Sequence, residues 1–163
     1  MRMSLSNASN PVKVLFFVGL LISPWLFTQS VIFVFAADEE IESMPTCEEN
    51  SGNCAHLGGG ENYRMNNSLP TQIEINSSQA WDIISNYIDE NDAKILVESS
   101  NGINYYVHFV EKTNFWKFPD DVIIELSDND EGCIIEMHSN SRLGWGDVGV
   151  NPDRLNKIHQ LLV

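Results

Sequence analysis

The sequence predicts an α+β domain carried behind an apolar N-terminal helix: a four-stranded antiparallel sheet with one helix before it and one after it. Three observations carry that expectation. A single uncharged run, Val14 to Phe35, stands apart from an acidic remainder. Within the remainder, apolar residues recur at helical spacing near residues 80–88 and again near 155–162. Between those two stretches lie four β-rich runs separated by polar turns. A length of 163 residues with 43% hydrophobic composition suits one domain plus a short extra segment.

The apolar run holds 22 residues without a charge, which as a helix extends roughly 33 Å and is long enough to cross a bilayer. Arg2 and Lys13 precede it, and Asp38, Glu39, Glu40 and Glu42 follow it. That asymmetry keeps the N-terminus cytoplasmic and sends the domain to the extracytoplasmic side. Val34-Phe35-Ala36 also offers small residues for signal-peptidase cleavage after Ala36, and Pro24 with Thr28-Gln29-Ser30 interrupts the apolar run. Two readings therefore stand side by side for residues 1–37: a retained transmembrane anchor and a cleaved signal peptide that yields a secreted domain.

Past residue 37 the chain carries seven basic side chains against 23 acidic ones. Such a field repels nucleic-acid phosphates, so no nucleic-acid partner is expected. Residues 38–72 read as a tether and irregular Cys-containing lead-in, with Gly58-Gly59-Gly60 and Pro70. The small α+β domain is then 73–163. Asn76-Ser77-Ser78 offers N-cap oxygens to an amphipathic helix bearing Ala80, Trp81, Ile84, Tyr87 and Ile88. Lys94 to Glu98 and Ile103 to Val110 form a hairpin, with Asn101-Gly102 suited to a type I′ turn. Val122 to Leu126 and Cys133 to His138 complete a four-stranded meander. In the last helix Asn151 is the expected cap, Pro152 the first helical residue, and Leu155, Ile158 and Leu162 the apolar stripe.

Cys47 to Cys54, the run from Tyr106-Val107-His108 to Phe118-Pro119-Asp120-Asp121-Val122, and above all Ser141-Arg142-Leu143-Gly144-Trp145-Gly146-Asp147-Val148-Gly149-Val150-Asn151 resemble domain of unknown function family 1499. The resemblance covers about residues 45–163. Its most specific element is Ser-Arg-x-Gly-x-x-Asp-x-Gly-x-Asn followed by a helix with an arginine, here Arg154. The cysteine region departs from the family's Pro-Asn-Cys, having Gly52-Asn53-Cys54 instead. The resemblance implies the domain limits and supplies no reaction.

Cys47 and Cys54, with six residues between them, most simply form a disulfide in an oxidising compartment. A metal site of Cys47, Cys54 and His56 is the sharper alternative, but the spacing exceeds that of paired zinc cysteines and no fourth ligand is evident. No metal or cofactor is therefore expected. Cys133 reads as a packed strand residue. Asp128 to Gly132 fails as a calcium loop, because its Gly stands at position five and Ser139 at twelve.

The remaining constellation is His108, Asp120, Asp121, Arg142, Asp147 and Asn151. In a meander, Asp120-Asp121 and Ser141-Arg142 fall at one end of the sheet, where an aspartate and Arg142 can meet. One reading is an ion pair that pins the 143–150 loop to the sheet. The other is a pocket in which Asp120, Arg142, Asp147 and Asn151 bind a ligand, with His108 and Asp121 as candidate catalytic groups. His108 alternates with Tyr106 on one strand face and also suits a satisfied histidine against the helix layer. The sequence holds no Gly-x-Ser-x-Gly, His-Glu-x-x-His or phosphate loop. The functional expectation is a membrane-associated, non-catalytic accessory module that binds an extracytoplasmic protein or small ligand. A small hydrolase using Asp121, His108 and Arg142 is the alternative.

Overall fold

A computed structural model describes residues 9–163. Arg2, half of the charge argument for orientation, lies outside them. The chain divides into two compact units, residues 1–37 and 38–163.

In the first unit, α1 runs from Asn10 to Phe35 without interruption, and none of its residues is buried. It is long and apolar enough to cross a membrane. Pro24 lies inside the helix without ending it, and the reason is local. Proline has no N–H, so the carbonyl of Leu20 loses its usual partner. The Ser23 hydroxyl donates to that carbonyl at 3.0 Å, and the hydroxyls of Thr28 and Ser30 donate to Pro24 and Leu26. The hydroxyls of Thr28 and Ser30 thus donate within the helix.

The second unit is α+β, but its antiparallel sheet has six strands, not four. Strands β3 (Lys94–Ser100), β4 (Asn104–Lys112), β5 (Pro119–Asn129) and β6 (Gly132–Ser141) form the expected meander. Two more strands, β1 (Cys54–Leu57) and β2 (Gln72–Ile73), pair with successive stretches of the outer edge of β6. Both fall at or within the stretch read as an irregular lead-in. Their signal is absent from the sequence for a physical reason: all four β1 residues are buried, so no alternation is visible, and β2 is only two residues long.

Helix α2 (Ser77–Glu90) begins with a reciprocal capping box. Asn76 Oδ1 accepts from the Gln79 N–H, and Gln79 Oε1 accepts from the Asn76 N–H. Helix α3 (Val150–Leu162) starts two residues earlier than expected and is not capped by Asn151. The carboxylate of Asp147 accepts from the backbone N–H groups of Gly149 and Asn151 instead. The β3–β4 turn is not type I′ either, because only Gly102 takes a positive φ, 92°. Asn101 uses its side chain to accept from the Ile103 and Asn104 N–H groups.

Both helices pack on one sheet face, where Leu57, Phe109, Val122, Ile124, Leu126, Ile135 and Met137 meet Ile84, Ile88, Leu155 and Ile158. Cys133 is buried in the same cluster. Alternation sends Tyr106, His108, Asp121, Ile123 and His138 to the opposite face. A strap of residues 38–51 binds there: the Ile41 N–H donates to His108 Nδ1 and the Tyr106 hydroxyl to the Ile41 carbonyl. His108 therefore faces the strap, not the helix layer that one of its two readings gave it.

Candidate functional site

The register builds the strap-covered face row by row. His108 on β4 lies opposite Ile123 on β5, Ile123 opposite His138 on β6, and His138 opposite His56 on β1. One row nearer the sheet end, Asp121 lies opposite Asn140, and Asn140 opposite Cys54.

Asp121 is the hub of the first cluster. It accepts from His108 Nε2 at 2.7 Å and from Arg142 Nε and Nη2 at 2.9 and 2.7 Å. Burial pushes its carboxyl up, but the hydrogen bonds from His108 and Arg142 outweigh burial and hold it below the usual range. Arg142 Nη1 also reaches Asp38 at 2.6 Å, and Lys94 meets the other oxygen of Asp38 at 2.7 Å. Those two hydrogen bonds lower the Asp38 carboxyl as well. Because the Ile41 N–H can only donate, His108 Nδ1 is the unprotonated nitrogen and Nε2 carries the proton given to Asp121. The lone pair that a general base would need is thus already engaged. The cluster works as a clamp that fixes the strap to the sheet.

The other residues from the sequence reading do not join that cluster. Asp120 points to the helix side, 2.7 Å from Arg154 Nη2. Burial raises its carboxyl against the pull of Arg154. Arg154 Nη1 donates to Ser139 and Asn151, and its Nε lies 3.2 Å from Glu111, whose other oxygen accepts from the Tyr87 hydroxyl at 2.6 Å. Asn151 donates to the Asn53 carbonyl and to Ser141 Oγ. Asp147 forms a two-pronged pair with Arg64 at 2.6 and 3.0 Å. The six residues divide among three clusters, two of which knit α3 to the sheet and the lead-in. The sequence singled out neither Arg64 nor Glu111 as a partner. Register alone would have placed Glu111 opposite Asp120, while Arg64 comes from a loop that has no sequence periodicity.

Cys47 and Cys54 are joined in a disulfide with Cα atoms 5.7 Å apart. Beside it runs a chain of polar contacts that sequence reasoning missed. Glu136 lies 3.3 Å from His56 Nε2, His56 Nδ1 lies 3.3 Å from His138 Nδ1, and His138 Nε2 lies 3.5 Å from Cys54 Sγ. Burial, then the neighbouring His56, pushes His138 down to about 4 against the pull of Asp121. His138 is therefore neutral near pH 7. The sulfurs and His138 come within 4.8 Å of one another, yet disulfide sulfurs are not thiolates and do not make a metal centre. Between strap and sheet lies a cavity of about 410 Å³, bordered by Glu48, Asn53, Cys54, His138, Asn140 and Arg142.

The fold and this site define a class: a small α+β domain with a helix-covered core face and a strap-covered polar face, preceded by an apolar helix. The chain belongs to the family described as protein of unknown function (DUF1499), whose model matches residues 33–162. No curated protein and no solved structure matches it.

Proposed function

We propose that this chain is a membrane-tethered, non-catalytic binding module whose domain lies on the extracytoplasmic side and takes a small polar ligand beneath the 38–51 strap. The observation that carries the reading is the strap-covered cavity of about 410 Å³, a volume within the range of small-ligand sites. Its rim is polar, and the ionised groups at its end, Asp121 and Arg142, already neutralise each other. Such a lining favours a neutral or weakly cationic ligand rich in hydroxyl or amide groups. A non-catalytic role is favoured because His108 has both ring nitrogens engaged. The uninterrupted α1 supports a retained anchor, Lys13 and the acids after Phe35 support the orientation, and the disulfide suits an oxidising compartment.

Native mass spectrometry of the full chain, released from its own membranes in mild detergent, tests the binding claim. The expected spectrum shows one small-molecule increment per chain, lost in Asn140→Leu, whose larger apolar side chain intrudes on the cavity. Bare wild-type protein, or the same increment on the variant, would refute the ligand cavity.

A further inference from the structure

One end of the domain sheet combines three properties that the bland picture of a solvated acidic domain does not explain. The first is exposed apolar surface. Trp145 is 99% exposed and Val148 fully so, in the 142–149 loop, while Phe115 at 68% and Trp116 stand in the β4–β5 loop. The two loops adjoin, since Trp116, Phe118, Leu143 and Val148 line one mainly apolar hollow. Isolated exposed aliphatics are ordinary, but adjoining exposed aromatics on neighbouring loops mark a surface that meets something apolar.

The second is that Trp145 is held outward and does not merely dangle. Asn53 Nδ2 donates to the Gly144 carbonyl, the Asp147 N–H donates to the Gly52 carbonyl, and Gly52 bridges Gly146. A Cβ at Gly52 would come within 2.6 Å of the Trp145 carbonyl, so this close approach needs glycine. Val148 sits at φ 53°, a left-handed conformation that a β-branched residue adopts only under constraint. A strained backbone that turns an apolar side chain fully into water indicates a surface made for contact.

The third is the position of this end in the chain. Asp38 is pinned here by Arg142 and Lys94, and only Ala36 and Ala37 separate it from the last residue of α1. Charge at this end is mixed. Lys94, Lys112, Lys117 and Arg142, four of the seven basic residues after residue 37, lie at this end. The exposed acids here are Asp38, Glu39, Glu40 and Asp92, with Asp89 and Glu90 in the last turn of α2 and Asp153 in the first turn of α3, whereas Asp120, Asp121 and Asp147 are each held by an arginine. The Asp128–Glu131 turn lies at the far end of the β5–β6 hairpin.

We propose that this end of the domain docks on the bilayer surface, with Trp145, Val148, Phe115 and Trp116 in the interfacial zone and Lys112 and Lys117 at the headgroups. The partner is the lipid interface itself, where indole rings partition by their amphipathic character. The inference rests on the anchored reading given above.

The test uses full-length protein reconstituted in phosphatidylcholine vesicles, with single-tryptophan variants that retain either Trp25 or Trp145. Lipids brominated near the headgroup or deep in the acyl chains serve as quenchers. The expected result is a blue-shifted Trp145 emission quenched roughly twofold by shallow bromines and less by deep ones, as an interfacial indole requires. Emission typical of water, unquenched at either depth while Trp25 is quenched, overturns the docking surface and leaves the anchor standing. If Trp25 is also unquenched, the anchored reading fails and the docking surface falls with it. Replacing phosphatidylcholine by an anionic lipid separates the forces: quenching that appears only on anionic vesicles would overturn apolar insertion as the cause.

Discussion

The His138 imidazole gives the domain a defined acid sensitivity. In the unfolded chain it titrates near 6.5, while in the folded domain burial and the adjacent His56 lower it to about 4. Above 6.5 both states are neutral and the residue contributes no pH dependence. As pH falls from 6.5 to 4 the unfolded chain takes up a proton that the folded domain refuses, so stability is lost across this window and levels off below it. At about 1.4 kcal/mol for each pH step of one, the loss amounts to about 3 kcal/mol. For a domain of this size that lowers the melting temperature by about 10 °C. Groups facing the ring are His56 on β1, Asp121 on β5 and, through His56, Glu136. Urea unfolding of wild type and His138→Gln from pH 7 to pH 4 isolates the effect, because the titrations shared by both proteins cancel in the difference. Wild type should lose about 3 kcal/mol more than the variant over the window. Parallel curves for the two proteins would show that the ring is not shielded, and the reasoning from burial would be wrong.

Asp121→Asn should cost about 2 kcal/mol near neutral pH, since it takes the charge from an acceptor shared by His108 and Arg142. That carboxyl is held below its usual range, so its contribution is present above about pH 4 and lost as pH falls through the lower folded value. The cost of the variant should therefore shrink at pH 2 to 3, as read by chemical denaturation. Arg154→Leu leaves Asp120 and Glu111 beneath α3 without their cation, and a loss of about 3 to 5 kcal/mol is expected; a melting temperature within a few degrees of wild type would contradict the buried pairing. Leu155→Ala, at a fully buried α3 position, should cost about 3 kcal/mol in the same assay. Reduction of Cys47–Cys54 should lower stability by roughly 2 to 3 kcal/mol in the chain-entropy model for so short a loop, and no change on reduction would mean that the bridge is not formed in the protein.

Helices were legible in the sequence where one face in the helical repeat met water. Both domain helices follow from such a pattern, and Asn76 announced the start of α2; the β3–β6 meander was legible as long β-rich runs bounded by polar turns, although the middles of β4 and β5 are buried on both faces. β1 was illegible because it is only four residues long and buried on both faces, and no rule of local sequence pairs two residues at Gln72–Ile73 with an edge some sixty residues later. The candidate site was legible in part. Sheet register brought Asp121 and Arg142 together as foreseen, but one residue earlier along β5 the strand pleat sends Asp120 to the other face and to Arg154. Asn151 looked like a cap because such residues commonly are; here its side chain turns inward to Ser139, Ser141 and Arg154, and Asp147 accepts the helix's first N–H groups. His138 gave no signal, since its neighbours across the sheet become visible only once β1 is placed.

The central claim, a retained anchor holding this domain outside the membrane, is tested most directly by labelling lysines from one side. Sealed vesicles of known orientation are treated with a membrane-impermeant amine reagent, and the protein is then extracted from carbonate-washed membranes and mapped by mass spectrometry. Lys94 and Lys157 are exposed in the domain, and Lys13 precedes the apolar stretch of α1. The expected map has the chain intact through its N-terminal peptide, Lys94 and Lys157 modified from the extracytoplasmic side, and Lys13 untouched. A chain beginning at Ala37, or modification of Lys13 with the domain lysines spared, would contradict the account.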